Sequence, residues 1–370
     1  MTLETDIVVA GTGPAGLMAA LALEARGFSV ALVGPEVNLS DRRTTALMRP
    51  QLEFLDKLSL LEAIEPEAAP LRSMRIVDAT SRLLRSPIVT FRSAEIGEPY
   101  FGLNIPNRHL LAALDSAVSK NTRIHRITSL VAAWVLEDDG VCADLGDGTT
   151  LRAKLAVAAD GRLSPAREAA GIAVRGTASG QSALVLNFAH SRDHGDISTE
   201  FHTEYGPFTQ VPLPGRRSSL VWVTRPSHAE ELKHLDAQAL STVIEERMQS
   251  MLGRVEVEPG CQVYPLTSAL PQSFARNRVA LVGEAAHIFP PIGAQGLNLS
   301  IRDIDALSDI AVRHSDDPGT SAALSAYDRA RRPDIVARAS AVDLLNRSLL
   351  SNMLPVQLVR ATGLSLLGST

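Results

Sequence analysis
Three glycines at fixed spacing, Gly11-x-Gly13-x-x-Gly16, constrain the fold of this chain more than any other feature. They follow a continuous apolar run, Ile7 to Ala10, of the kind a strand buried on both faces requires. Leu17, Ala20, Leu21 and Glu24 then recur at helical spacing, Gly27 marks a helix stop, and "SVALV" resumes a strand. In such a strand–turn–helix–strand unit each glycine has its own reason. The first permits the tight turn, the second lets a pyrophosphate approach the backbone, and the third lets helix and strand pack closely. Unpaired N–H groups at the start of the helix then face the phosphates. The spacing alone is a weak signal; inside this unit it predicts a dinucleotide site. One part of the fingerprint is missing. The acid expected on the ribose, roughly 20 residues on, falls at Gly34. Glu36 is the candidate substitute, and a ribose held by backbone or water is the alternative.

The remainder of the chain is not a run of further βαβ units. Residues 41–64 open with two arginines and continue as a helix, and "SMRIVDATSRLLRS" alternates like an exposed strand pair. A helix is expected from Asn107, and hairpins over 130–152 with turns at Asp139-Gly140 and Asp147-Gly148. "KLAVAADGR" and "NRVALVGE" return to buried apolar strands that end at Asp160 and Glu284. After Glu284, Pro290 and Pro291 stiffen the backbone, and Gly293 and Gly296 remove side chains where a flat ring would lie. A helix is predicted to begin near Gly296, carried by Leu297, Ile301, Ile304 and Leu307, with His287 as a structural residue nearby. Residues 180–265 are rich in aromatic and β-branched residues and read as a second sheet.

A formal charge of −5 over 370 residues argues against nucleic acid as a partner. Cys142 and Cys261 stand in no metal-like spacing, so both are expected in the core of a protein from a reducing compartment, with no metal site. The N-terminus lacks the pattern of a signal peptide, and no run of 18 apolar residues occurs. From Asp328 to Arg360 there are six Arg and three Asp, with Val342, Leu345, Leu349 and Met353 at helical spacing before Pro355. That pattern fits either an interfacial surface or a helix packed on its own domain or on a partner.

The order of these segments resembles the class A flavoprotein monooxygenases and, within them, the ubiquinone-biosynthesis hydroxylase family. The resemblance spans residues 5–360. It rests on Gly11–Gly16, "RTTAL" (43–47), "FGLNIPN" (101–107), "ADGRLSPAREAAGI" (159–172), "GPFTQVPLPGRRSSLVWV" (206–223), "GEAAHIFPPIGAQGLNLSIRD" (283–303) and "YDRARRPD" (327–334). It implies an α/β fold: a Rossmann-like FAD-binding domain (1–73, 96–178 and 271–320) with an inserted mixed or antiparallel substrate sheet (74–95 and 179–270). C-terminal helices (321–370) complete it. It implies FAD as cofactor, NAD(P)H as electron donor and dioxygen as oxidant, the flavin hydroperoxide attacking the ring of a polyprenylated phenol. The FAD site is expected from Gly11, Gly13, Pro14, Ala15, Gly16, Glu36, Arg43, Asn107, Asp160, Glu284, Pro291, Gly293, Gln295, Gly296, Leu297 and Asn298. Phe201, Phe208, Val211, Pro212 and Trp222 are the substrate-pocket candidates. The expected location is cytoplasmic, with peripheral contact at the inner membrane and association with other quinone-biosynthesis proteins. The rival expectations are a flavin enzyme of another aromatic or prenyl substrate, and a non-catalytic FAD-binding member of a biosynthetic complex.

Overall fold
The computed structural model describes residues 2–80, 86–290 and 295–350, the last ten as backbone only. The N-terminal apolar run becomes the middle of an eight-stranded sheet. Thr2–Ala10 pairs in parallel with Val30–Gly34 on one side and Thr150–Ala158 on the other. Ile124–Thr128 and Val279–Leu281 extend the two edges, also in parallel. Ile7, Val9, Leu32, Leu155 and Val157 are wholly buried, which is why these strands read as unbroken apolar runs rather than alternating ones. The hairpin Val131–Leu136 and Val141–Leu145 joins Thr150–Ala158 antiparallel, with turns where Gly140 and Gly148 were expected to place them.

Nine helices are described: α1 (Pro14–Ala25), α2 (Arg49–Lys57), α3 (Leu61–Ile64), α4 (Asn107–Lys120), α5 (Pro165–Ala169), α6 (Pro226–Lys233), α7 (Ala237–Arg247), α8 (Gln295–Arg313) and α9 (Ser321–Leu350). Pro14 stands at the first position of α1, where its missing N–H costs no hydrogen bond. α1 packs between α8 and α4. The expected apolar stripe of the C-terminal helix falls partly on α9. The side chains of Val342, Leu345 and Leu349, and all of Met353 and Pro355, lie outside the described residues. Among the described residues no helix is long and apolar enough to cross a membrane.

A second eight-stranded sheet is mostly antiparallel and has its own core. Its long strand Val174–His190 pairs with Arg217–Thr224, which is followed outward by Gly206–Leu213 and Ile197–Thr203. Ser73–Asp78 then adds in parallel to Ile197–Thr203, so a segment distant in sequence closes this sheet. A three-stranded sheet of Thr44–Met48, Gly102–Pro106 and Ala69–Leu71 lies at the seam between the two large ones.

Strand alternation divides the pocket candidates between the two faces of the second sheet. Phe201, Phe208 and Trp222 pair across three strands and stack edge to face at 5.7 and 5.1 Å. They are buried with Leu232, Leu240 and Ile244 of α6 and α7, on the face turned away from the FAD-binding half. Pro212 shares their register. Val211 is on the opposite face, cross-strand from Ser219. The Ser219 hydroxyl meets Thr44 Oγ1 at 3.0 Å, which marks the face that looks onto the first domain. Cys142 and Cys261 are half-buried free thiols rather than core residues.

Candidate functional site
The three glycines of the first turn have different environments. Gly11 has φ +114°, and a Cβ there would lie 2.2 Å from Ala159 O. A Cβ on Gly16 would lie 1.8 Å from Gly11 O. These two are demanded by the protein itself. A Cβ on Gly13 would meet no protein atom within 4 Å, so its need for glycine is not set by packing. Ala15 approaches the turn at Gly283, which has φ +65°, bringing the Glu284 segment beside the start of α1. The missing ribose acid also has a physical reason. A Cβ at Gly34 would sit 2.8 Å from Thr12 Cγ2, and Thr12 Oγ1 donates to Pro35 O at 2.6 Å. Threonine at position 12 therefore excludes a side chain at position 34. Glu36 is exposed on the loop beyond it.

The turns after the other two diagnostic strands are joined by a residue that sequence reasoning overlooked. Asp160 Oδ2 accepts from Ala166 N at 3.1 Å, while Oδ1 is buried without a hydrogen-bond partner. Burial holds this carboxyl above its ordinary pKa, against the hydrogen bonds from Ser164 and Ala166. Ser164 caps α5 by accepting from Arg167 N. The Arg167 side chain then donates to Ala285 O at 3.0 Å and to Arg162 O at 2.9 Å, tying the two turns together. Arg162 pairs with Glu284 at 3.3 Å, both side chains about half exposed.

Arg43 and Asn107 are brought together by Asp41, also missed in the sequence. Arg43 Nη2 lies 2.7 Å from Asp41 Oδ2, and Asn107 Nδ2 donates to the same oxygen at 2.9 Å. Thr45 Oγ1 donates back to Asn107 Oδ1 at 2.7 Å, so this asparagine holds a loop rather than capping α4. The Arg43 guanidinium lies 5.7 Å from the centre of the Tyr264 ring. Glu284 is close enough to contribute to its raised pKa, which Asp41 chiefly causes. Burial pushes the Asp41 carboxyl up, but the hydrogen bonds from Arg43 and Asn107 outweigh it, and its pKa is lowered. A lowered folded pKa contributes stability above the unfolded value, about 3.9, that is lost as pH falls through the folded value. Asp41→Asn is therefore expected to lower Tm at pH 7, with the difference from wild type shrinking as the pH falls below about 4. A gap that stays constant over that range in thermal unfolding would remove Asp41 from this role.

The first turn of α8 is clamped onto the seam. Asn298 Oδ1 accepts from Met48 N at 2.9 Å, and its Nδ2 donates to Ala46 O at 2.7 Å. A Cβ on Gly296 would meet nothing within 4 Å, and Leu297 packs on the main core. Pro291 and Gly293 lie outside the described residues. A cleft of about 420 Å³ adjoins this turn, lined by Met48, Phe54, Gln295, Asn298, Arg302 and Arg338. His287 is buried, and its Nε2 lies 2.6 Å from Asp303 Oδ2, so it is engaged in a structural pair. Among the described residues no group of three or more His, Cys, Asp or Glu could hold a metal ion.

These features fit FAD: a glycine with open space at a helix start, a buried carboxylate oxygen without a partner, and two further loops stapled beside it. A parallel sheet with this turn, set against a separate mixed sheet, defines a nucleotide-binding flavoprotein. The FAD binding domain family matches residues 4–341, and the chain belongs to that family as an FAD-dependent monooxygenase of the ubiquinone-biosynthesis hydroxylase group. It is 35% identical to ubiquinone hydroxylase UbiL of Rhodospirillum rubrum, over 97% of this chain and 85% of the relative. It is 29% identical to 3-demethoxyubiquinol 3-hydroxylase of Escherichia coli, over 97% and 94%. In structure it resembles PqsL, described as a probable FAD-dependent monooxygenase from Pseudomonas aeruginosa, with TM-score 0.81, 21% identity and coverage of 98% and 99%. It also resembles p-nitrophenol 4-monooxygenase PnpA of Pseudomonas putida, with TM-score 0.80, 20% identity and coverage of 99% and 94%.

The alternation of the second sheet was the signal that could have sorted the pocket candidates, because Val211 and Phe208 differ in parity. Asp41 was legible as a neighbour of Arg43. Arg167 offered no local sign, since its two acceptors are backbone oxygens on separate turns.

Proposed function
We propose that this protein hydroxylates the ring of a polyprenylated phenol in ubiquinone biosynthesis, with electrons from NAD(P)H and oxygen from dioxygen. The observation that carries the reading is the match along nearly the whole chain to two hydroxylases of ubiquinone biosynthesis. The inner face of the second sheet accords with it. Its central residues Val185, Val211, Ser219 and Val221 carry no charge, and His202 and Glu200 farther along the same face are paired with each other at 2.8 Å. Arg217, at the end of one of these strands, is committed to Glu258 at 2.6 Å.

FAD, when bound, supplies the electron and oxygen-transfer chemistry that no side chain provides. The protein's contribution is placement. Gly13 lets a pyrophosphate meet the backbone at the start of α1. Asp160 offers its unpaired oxygen, and Glu284 and the Arg43–Asp41–Asn107 set border the cofactor from separate turns. The first turn of α8 would offer the cofactor the positive end of a helix, which favours a neighbouring negative charge by roughly 0.3–2 kcal/mol. The inner face, with Val185, Val211 and Val221 beside polar groups such as Ser219 and Thr209, would orient the phenol ring and help keep water from the reacting atoms. Peripheral membrane contact through the C-terminal segment would deliver a lipid substrate.

The test is turnover by purified protein loaded with FAD and supplied with NADH or NADPH. Nicotinamide oxidation is expected to couple to hydroxylation of a prenylphenol and to run uncoupled with small aromatic acids. Tight coupling to a water-soluble aromatic acid, with prenylphenols ignored, would overturn the proposal.

A further inference from the structure
α9 carries a polar stripe at helical spacing, Tyr327, Arg331, Asp334 and Arg338, turned towards α8. Its deep end is anchored. Tyr327 donates to Leu281 O at 2.7 Å, and Arg331 Nε donates to the fully buried Asp303 of α8 at 2.8 Å. From there the stripe continues outward through side-chain hydrogen bonds. Arg331 Nη1 donates to Asp334 Oδ2 at 3.0 Å, and Arg338 Nε donates to Asp334 Oδ1 at 2.9 Å. Arg302 of α8 also pairs with Asp334 at 3.3 Å. The last step returns to α8, where Arg338 Nη1 donates to Gln295 Oε1 at 3.3 Å.

Gln295 is the first described residue of α8. Asn298, in the same turn, is held by the strand Thr44–Met48 from the other side. The helix start is therefore gripped twice, by the seam sheet and by α9. A planar guanidinium suits this task, because Nε and Nη1 can serve two acceptors at once, which an ammonium on a flexible stem does less well.

We propose that Arg338, oriented by Asp334, is a positioning residue that holds the first turn of α8 in the geometry that receives the flavin. The inference rests on the reading that this turn borders FAD. It gives α9, which contains none of the nucleotide fingerprints, a part in shaping the cofactor site.

Two readouts separate the inference from that reading. Hydrogen exchange at amides 295–300 is measured in the FAD-free protein, and FAD affinity is measured by flavin fluorescence. Arg338 is more than a third exposed, so Arg338→Ala is expected to leave Tm nearly unchanged. It is expected to speed exchange at 295–300 and raise the FAD Kd by about 3- to 5-fold, the size of a lost surface pair. Gln295→Ala should act alike, and the double variant should be no worse than either single change. Arg338→Lys should restore the effect only in part. Unchanged exchange at 295–300, or fully additive effects, would overturn the positioning role. Faster exchange with an unchanged FAD Kd would overturn the proposal at its other end, by showing that this turn does not border the flavin.

Discussion

Gly13→Val is expected to yield a folded protein that has lost FAD, while Gly11→Ala and Gly16→Ala fail to fold stably. The three positions look equivalent in the motif, but their surroundings differ. At Gly16 the added carbon would lie 1.8 Å from a backbone oxygen, and at Gly11 2.2 Å from another. Neither neighbour is a flexible side chain, and Gly11 also has a left-handed backbone that costs any other residue additional strain. Overpacking alone costs roughly 1–3 kcal/mol, and strain adds to it, against a total stability of about 5–15 kcal/mol. At Gly13 a Cβ would meet no protein atom within 4 Å, so a side chain there would extend into space that a pyrophosphate at the helix start would use. The FAD Kd of Gly13→Val should rise by at least about 100-fold, equivalent to about 2.8 kcal/mol, while the Tm of the FAD-free protein stays near wild type. Thermal unfolding and fluorescence titration of the three variants decide the matter. A Gly13→Val protein that binds FAD normally would place the cofactor elsewhere.

Asp303→Leu is expected to be the most damaging single change away from the glycine turn. Asp303 is fully buried and accepts from Arg331 Nε at 2.8 Å and from Gly283 N at 3.4 Å, with His287 Nε2 at 2.6 Å. Arg331 is nearly buried as well, and its Nη2 already has no partner. Removing the carboxylate takes one of two acid partners from a buried guanidinium, leaving it only the partly exposed Asp334 at 3.0 Å. Such one-sided losses cost roughly 3–5 kcal/mol, enough to consume much of the stability of an ordinary domain. The double variant Asp303→Leu/Arg331→Met removes both charges and should recover part of the loss. Denaturant unfolding of the two singles and the double gives the coupling directly. Additive destabilisation would show that the pair does not act as a unit. Because Asp303 also receives Gly283 N, the single variant should loosen the Glu284 turn and weaken FAD binding beyond its effect on Tm.

Local patterns in the sequence determined the nucleotide half. A strand buried on both faces has to be continuously apolar, and a glycine turn with this spacing has few uses, so Thr2–Ala10, α1 and Val30–Gly34 were legible from neighbouring residues alone. The turns at Gly140 and Gly148 and the start of α4 at Asn107 were legible for the same reason. What tertiary structure alone decided is how distant segments meet. Phe201, Phe208 and Trp222 pack with α6 and α7, and because both faces of that sheet are covered, polarity does not betray which face meets which neighbour. Gly34 replaces the expected acid because Thr12, 22 positions earlier, occupies the space beside it. Asp303 finds Arg331 across 28 positions, and Arg338 finds Gln295 across 43. No local periodicity encodes such pairs. They exist because folding α9 against α8 brings them together; for Asp303 and Arg331, burial makes each polar group need a partner wherever the chain can bring one.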